Sequence, residues 1–265
     1  MKVYISVDIE GVAGITHWDE ADKKHPDYPE FREQMTMEAV AAIEGAEAAG
    51  ATEILVKDAH STGRNLIVSK LPGSVRLVRA WAGHPLCMVQ ELDESFAAVM
   101  MVGYHSAAGS EANSLAHTLS LDAAEIRING MRASEFLVHG LASSMLGVPT
   151  VFVSGDRGLM EEVEITNPAI IRCGVKEGRG QSTISMTPEA ACRAIREGAM
   201  RSLKGNLKKC LLKVPGHTVV EITYSDPNLA YRHSWYPGAR HVGNRTIRFE
   251  TSHYFDVLRL LNYVT

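Results

Sequence analysis

Several large classes of protein are disfavoured by what this chain has little of. Cysteine is scarce and scattered: Cys87, Cys173, Cys192 and Cys210 form no C-x-x-C pair. That disfavours a zinc ribbon or a disulfide framework and suits a reducing compartment. No apolar run approaches the roughly 20 residues needed to cross a bilayer. The first strand-like run is not preceded by the charged segment and apolar stretch of a secretory signal. A cytoplasmic protein with no membrane partner is therefore expected. Basic charge is not in excess: a formal charge of −4 and a pI near 6.3 argue against nucleic acid as the main partner. The chain has neither a G-x-S-x-G nucleophile elbow nor a G-x-x-x-x-G-K-[ST] phosphate loop. It shows no internal repeat and no low-complexity linker. What remains is 265 residues of ordinary globular composition, enough for one large domain or for a catalytic domain with a smaller companion. Histidine, with eleven residues, is the one mild enrichment to follow.

Strand-like runs alternate with helical stretches. "KVYISVDIEG", "TEILVKDAH", "SVRLVRA", "FAAVMMVGYHS" and "VPTVFVSGD" read as strands. Between the first two, "YPEFREQMTMEAVAAIEGAEAAG" reads as a helix closed by Gly50. Strand, helix and strand at this spacing predict βαβ units, hence an α/β fold with a mainly parallel sheet flanked by helices. Asn129-Gly130 predicts a hairpin turn in an insertion, and Ser134 predicts the cap of a helix ending at Gly147. "GVKEGRG" reads as a glycine-rich loop. A break near residue 185 divides the chain into an α/β catalytic domain, 1–185, and a smaller α+β unit, 186–265. The second unit opens on Thr187 and Pro188 and runs helix, strand, helix, strand, helix.

The first strand carries an anomaly. In "KVYISVDIEGVAG" a period of two puts Tyr4, Ser6, Asp8 and Glu10 on one face. The two carboxylates then lie about 7 Å apart along the strand. In open α/β sheets ligands sit beyond the carboxyl ends of the strands, and two further strand ends carry His60 and His105. Two carboxylates and two histidines form a mixed oxygen and nitrogen set suited to zinc or a similar divalent ion. A cation also answers the repulsion between sheltered like charges, and the surplus of carboxylate points to two ions sharing a ligand. Asp58, two residues before His60, is expected to face the same side and orient it. "DIEG" and "GDRGLM" are similar to motifs of haloacid-dehalogenase-type phosphatases, but the second acid is glutamate, and Met160 stands where the later motif requires aspartate.

The segments "SVDIEGVAG", "VKDAHS", "VGYHS", "LAHTLS" and "INGMRASE" together resemble, in order and spacing, the zinc-dependent D-aminopeptidase family. The resemblance is close over roughly the first 160 residues and looser to the C-terminus. It implies that Asp8, Glu10, His60, His105 and Glu135 bind two zinc ions per subunit, with Asp8 bridging, and that His117 is catalytic. Taken alone, Glu135 reads as a first-turn carboxylate favoured by the helix dipole, and His117 as a polar loop residue. The resemblance further implies a homodecamer of stacked pentameric rings that encloses the active sites and favours short peptides. The chain departs from the family pattern at Ala116, where the type enzyme carries serine, and in the loop "ITHWDEADKKHPDYPEF", whose His17 and Trp18 could reach substrate. The expected activity is removal of the N-terminal residue, of D configuration by family resemblance, from short peptides by water activated between two zinc ions. A two-metal phosphohydrolase and a non-catalytic oligomeric binding protein of the same fold are the alternatives.

Overall fold

Val3, Ile5 and Val7 point to one side of the first strand and Tyr4 and Ser6 to the other, and all five are buried. Burial on both faces is the condition under which parallel sheets form. In the computed structural model, which describes residues 1–265, the strands are β1 (Lys2–Val7), β2 (Glu53–Asp58), β3 (Val75–Val78), β4 (Ala98–Tyr104), β5 (Ala123–Ile128), β6 (Met131–Arg132), β7 (Thr150–Asp156), β8 (Ile171–Arg179), β9 (Ser182–Ser185), β10 (Thr218–Tyr224), β11 (Arg240–Gly243) and β12 (Thr246–Thr251). The helices are α1 (Trp18–Ala21), α2 (Tyr28–Ala48), α3 (Glu135–Met145), α4 (Arg157–Thr166), α5 (Pro188–Ser202), α6 (Pro227–His233) and α7 (Tyr254–Val264). None is long and apolar enough to cross a membrane.

A seven-stranded sheet runs β3-β2-β1-β4-β7-β8-β9, parallel except for β9, which turns back on β8. The order reverses at β1, with β2 on one side and β4 on the other, which opens a crevice at the strands' carboxyl ends. A second, antiparallel sheet runs β11-β12-β10-β5-β6. Helices α2 and α5 pack on each other and over β1, β4, β7 and β8. Helix α3 packs on β4 and β7 and against α7, where the Tyr254 hydroxyl donates to the Val138 carbonyl at 2.9 Å. The Tyr224 hydroxyl donates to the Val264 carbonyl at 3.0 Å, fixing α7 to the second sheet.

The α/β fold with a mainly parallel sheet is as the strand and helix pattern predicts. The hairpin forms where expected, with Asn129 and Gly130 both at positive φ (51° and 81°), as a two-residue turn of the primed type requires. One reading needs correction. "GVKEGRG" lies within or just after β8 rather than in a loop. Its Gly178 sits so close to Ala112 that an added Cβ would be 2.6 Å from that residue's carbonyl oxygen, so the glycine marks a close backbone approach within a strand. The tail after residue 185 joins the rest of the chain at both sheets. Helix α5 lies on the parallel sheet, and β10 pairs with β5 of the hairpin insertion.

Phe152, in the middle of β7, is fully buried, and its ring fills the space a side chain at Gly198 of α5 would need. Phe152→Ala is expected to cost about 3–5 kcal/mol of unfolding free energy, read from urea denaturation. A loss below about 1 kcal/mol would mean that α5 collapses onto the sheet and that the ring is not what holds this layer apart.

Candidate functional site

Three adjacent parallel strands deliver the polar residues. β1 stops at Val7, β2 at Asp58 and β4 at Tyr104, and Asp8, Glu10, His60 and His105 follow directly. The alternation expected through Glu10 therefore ends sooner: Asp8 still bonds across to β4, its N–H donating to the Val102 carbonyl at 2.9 Å, but Glu10 lies in a turn. The turn, not strand periodicity, brings the second carboxylate back beside the first. That turn is crowded. A Cβ on Gly11 would stand 1.8 Å from the Tyr104 carbonyl oxygen, and so would one on Gly155 from the far side. Only glycine at both positions lets the ends of β1 and β7 close on the peptide that precedes His105.

The side chains converge in two overlapping sets. His60 Nδ1 lies 3.1 Å from Glu10 and 3.4 Å from Asp8 Oδ1. His105 Nε2 lies 3.5 Å from Asp8 Oδ2 and 3.3 Å from Glu135 Oε2. Asp8 thus offers one oxygen to each histidine. His117 stacks on His105, with ring centroids 4.3 Å apart and planes 10° from parallel, and its Nε2 is 3.7 Å from Glu135 Oε1. Glu135, at the first position of α3 behind the Ser134 cap, also accepts the Leu119 N–H at 2.7 Å. Leu119 itself has φ of 65°, a strained value for a branched residue, held here by that carboxylate.

Each histidine has its other ring nitrogen on a backbone carbonyl. His60 Nε2 lies 3.0 Å from Ala21 O, His105 Nδ1 3.0 Å from Ser106 O and His117 Nδ1 3.0 Å from Leu115 O. With the N–H placed on the carbonyl, the opposite nitrogen turns a lone pair toward carboxylate oxygens that also carry lone pairs. Such a contact is repulsive unless a proton or a cation stands between. His105 Nε2 and Glu135 Oε2, both buried, have no hydrogen-bond partner.

The electrostatics express the same conflict. Burial, reinforced by repulsion from Glu10, pushes the Asp8 carboxyl up to about 7. Burial alone would lower both imidazolium groups, but Glu10 and Asp8 hold His60 well above its ordinary value, and Glu135 and Asp8 do the same for His105. Burial also opposes ionisation of Glu135, yet the facing histidines hold it down to about 2. Carboxylates and imidazoles here depend on one another for charge compensation, which a divalent ion would supply more fully. The donor set, with ligand atoms of Asp8, Glu10 and His105 within 4.8 Å of one another and those of His105, His117 and Glu135 likewise, fits borderline-soft divalent ions such as zinc.

Asp8, Glu10, His60, His117 and Glu135 line a cavity of about 690 Å³, and His105 is buried out of it. Trp18, Trp81, Cys87, Leu121, Leu258 and Leu261 are among its other walls, and no lysine or arginine lines it. Trp18 meets the edge of His117 at 5.3 Å between centroids. His17 does not enter the cavity: it caps α1, with its own N–H returned to Glu20. Asp58 does not touch the His60 ring. Its carboxylate accepts from the Asn65 and Leu66 N–H groups and from Asn65 Nδ2, which also donates to the His60 carbonyl, so it shapes the loop that carries the histidine. The walls from Trp81, Cys87 and α7 gave no signal in the sequence, because they are apolar residues far apart in the chain that meet only through tertiary packing.

The chain matches the family described as peptidase M55, D-aminopeptidase, over residues 1–263. A D-aminopeptidase of Bacillus subtilis (strain 168) is 28% identical over 267 residues, covering 100% of this chain and 97% of the relative. The solved structure of the Zn-dependent D-aminopeptidase DppA from Bacillus subtilis, a self-compartmentalizing protease, superposes with a TM-score of 0.92 at 26% identity, over 100% of this chain and 96% of that one. With the family pattern carried from end to end and the fold shared along its full length, the chain belongs to the D-aminopeptidase family, peptidase M55.

Proposed function

We propose that the protein is a zinc-dependent aminopeptidase that removes an N-terminal residue, of D configuration, from short peptides. The observation that carries this reading is the set of histidines, each with one N–H on a backbone carbonyl and the other nitrogen aimed at buried carboxylates. Asp8, Glu10, His60, His105 and Glu135 would hold two ions, with Asp8 shared because each of its oxygens faces a different histidine. Zinc bound there supplies Lewis acidity for the scissile carbonyl and lowers the pKa of a water. Membership of the family and the Zn-dependent relative support the choice of metal and reaction.

The chain's own residues supply the rest. A cavity that contains Asp8, Glu10, Asp22 and Glu135 and neither lysine nor arginine favours a substrate's free N-terminal ammonium. His117, with Nδ1–H on Leu115, presents Nε2 to the same space. From there it can take a proton from the attacking water and return one to the amine nitrogen as the C–N bond breaks. Its stacking on His105 and edge contact with Trp18 fix that nitrogen. The self-compartmentalizing relative supports assembly of this chain with copies of itself, as a decamer by family resemblance, so that entry to the cavity is limited to short peptides.

A panel of D- and L-aminoacyl peptides with one generic phosphate ester tests the reading. Release of the N-terminal residue from D-aminoacyl peptides is expected, with the ester untouched. Turnover of the ester alone would make the protein a phosphohydrolase, and no turnover at all a binding protein. Chelation should abolish peptide hydrolysis and added zinc should restore it; activity that survives complete metal removal sinks the metal mechanism. His117→Ala should lower kcat by roughly 10²- to 10⁴-fold while the zinc content measured by atomic emission stays at the wild-type level. A fully active variant would remove His117 from the chemistry.

A further inference from the structure

Beyond the residues that face the cavity, a buried polar network lies behind the cluster. We propose that Asp156 is a positioning residue that fixes two limbs of the cluster from behind, His105 and Glu10, and thereby sets the affinity for zinc. The inference rests on the zinc reading of the cluster. Asp156 is the acid of "GDRGLM", the stretch similar to a phosphatase motif that the proposed reaction leaves without a role. It ends β7, is fully buried and caps α4, accepting the Leu159 N–H at 2.9 Å.

A cap needs one acceptor, and a serine or an asparagine would serve. Asp156 does more. Its Oδ2 accepts the Ser106 N–H at 2.7 Å and Asn113 Nδ2 at 2.9 Å, and its Oδ1 also accepts the Ser106 hydroxyl at 2.5 Å. The Ser106 carbonyl is the acceptor for His105 Nδ1, so the carboxylate fixes the residue against which the imidazole is oriented. Asn113 Nδ2 also reaches the Glu10 carbonyl at 3.1 Å, and the buried Lys176 ammonium donates to that same carbonyl at 2.6 Å and to the Ile15 carbonyl at 2.9 Å. Through two bridges, one carboxylate holds residues that arrive from β4 and β1. Groups that orient metal-binding side chains in this way typically contribute 10- to 100-fold in metal affinity.

Asp156→Asn separates the two roles. The amide oxygen keeps the α4 cap, while the NH₂ group confronts the donors of Ser106 and Asn113. The metal-free variant is expected to fold, with an unchanged far-ultraviolet circular dichroism spectrum. It should bind zinc roughly 10- to 100-fold more weakly than wild type in competition with a chromophoric chelator. Its cobalt-substituted form should show altered d–d absorption. Asn113→Leu, which cuts the bridge to Glu10 and also the bond from the Leu115 N–H to Asn113 Oδ1 but leaves the bonds of Asp156 to Ser106 in place, should lose affinity by a smaller factor and covers the case in which Asp156→Asn does not fold. Folded variants that bind zinc as wild type does, with only a lowered Tm, would reduce Asp156 to a helix cap and overturn the proposal alone. Wild-type protein that binds no zinc would overturn the zinc reading and this inference with it.

Discussion

Three carboxylates, those of Asp8, Glu10 and Glu135, are withdrawn almost completely from water and placed within reach of one another's histidine partners. Burying one unpaired charge costs several kcal/mol even after relaxation, and burying three like charges together is tolerable only if something positive is shared among them. The surrounding structure answers that constraint. Imidazoles are turned so that their free nitrogens face the acids, backbone carbonyls hold the opposite ring positions, and Leu119 accepts an unfavourable backbone angle to give Glu135 a donor. The cluster is thereby held by protein groups on its outer side and leaves its lone pairs turned inward on one another.

The sheet supplies the geometry for that arrangement. Because the strand order reverses at β1, the chain leaves β2, β1 and β4 side by side and opens a crevice where their carboxyl ends meet. The Tyr104 carbonyl, pressed between Gly11 and Gly155, brings the ends of three neighbouring strands together at the height of the cluster. Apolar packing between α2, α5 and the sheet stiffens the platform from beneath, and the hydrogen bonds of Asp156 and Lys176 join its upper edge. Regular strands thus bring the site residues to one edge, and the turns and loops that follow them set the final positions of Glu10, His60, His105 and His117.

Much of this was legible in the sequence, for identifiable reasons. The Ser134 cap, the helix start at Thr187-Pro188, the Asn129-Gly130 turn and the apolar strands obey local rules that tertiary packing did not override. Asp8, Glu10, His60 and His105 could be gathered because strand ends in a parallel sheet converge. Glu135 and His117 could not be found that way. The first turn of a helix is an ordinary place for a glutamate, and His117 sits in a loop whose course no periodicity records; only the resemblance singled them out. β8 is hidden in the sequence because its glycines and charged residues imitate a loop, whereas Lys176 turns inward to carbonyl groups and Gly178 leaves room for Ala112. Asp58 kept its place but not its expected partner, since the alternation of side chains stops where the strand does.

The far wall of the cavity has a different origin from its floor. The carboxylates and histidines are complete in the chain once Glu135 has been made, whereas Leu258 and Leu261 belong to the last helix, held by Tyr254 and Tyr224 to parts laid down earlier. The residues of the cluster thus all precede in the chain the helix that closes the chamber, although Asp156 and Lys176, which hold them from behind, come later than Glu135. The wall formed by Leu258 and Leu261 therefore depends on the docking of one terminal helix, while the polar floor rests on strands at the centre of the sheet.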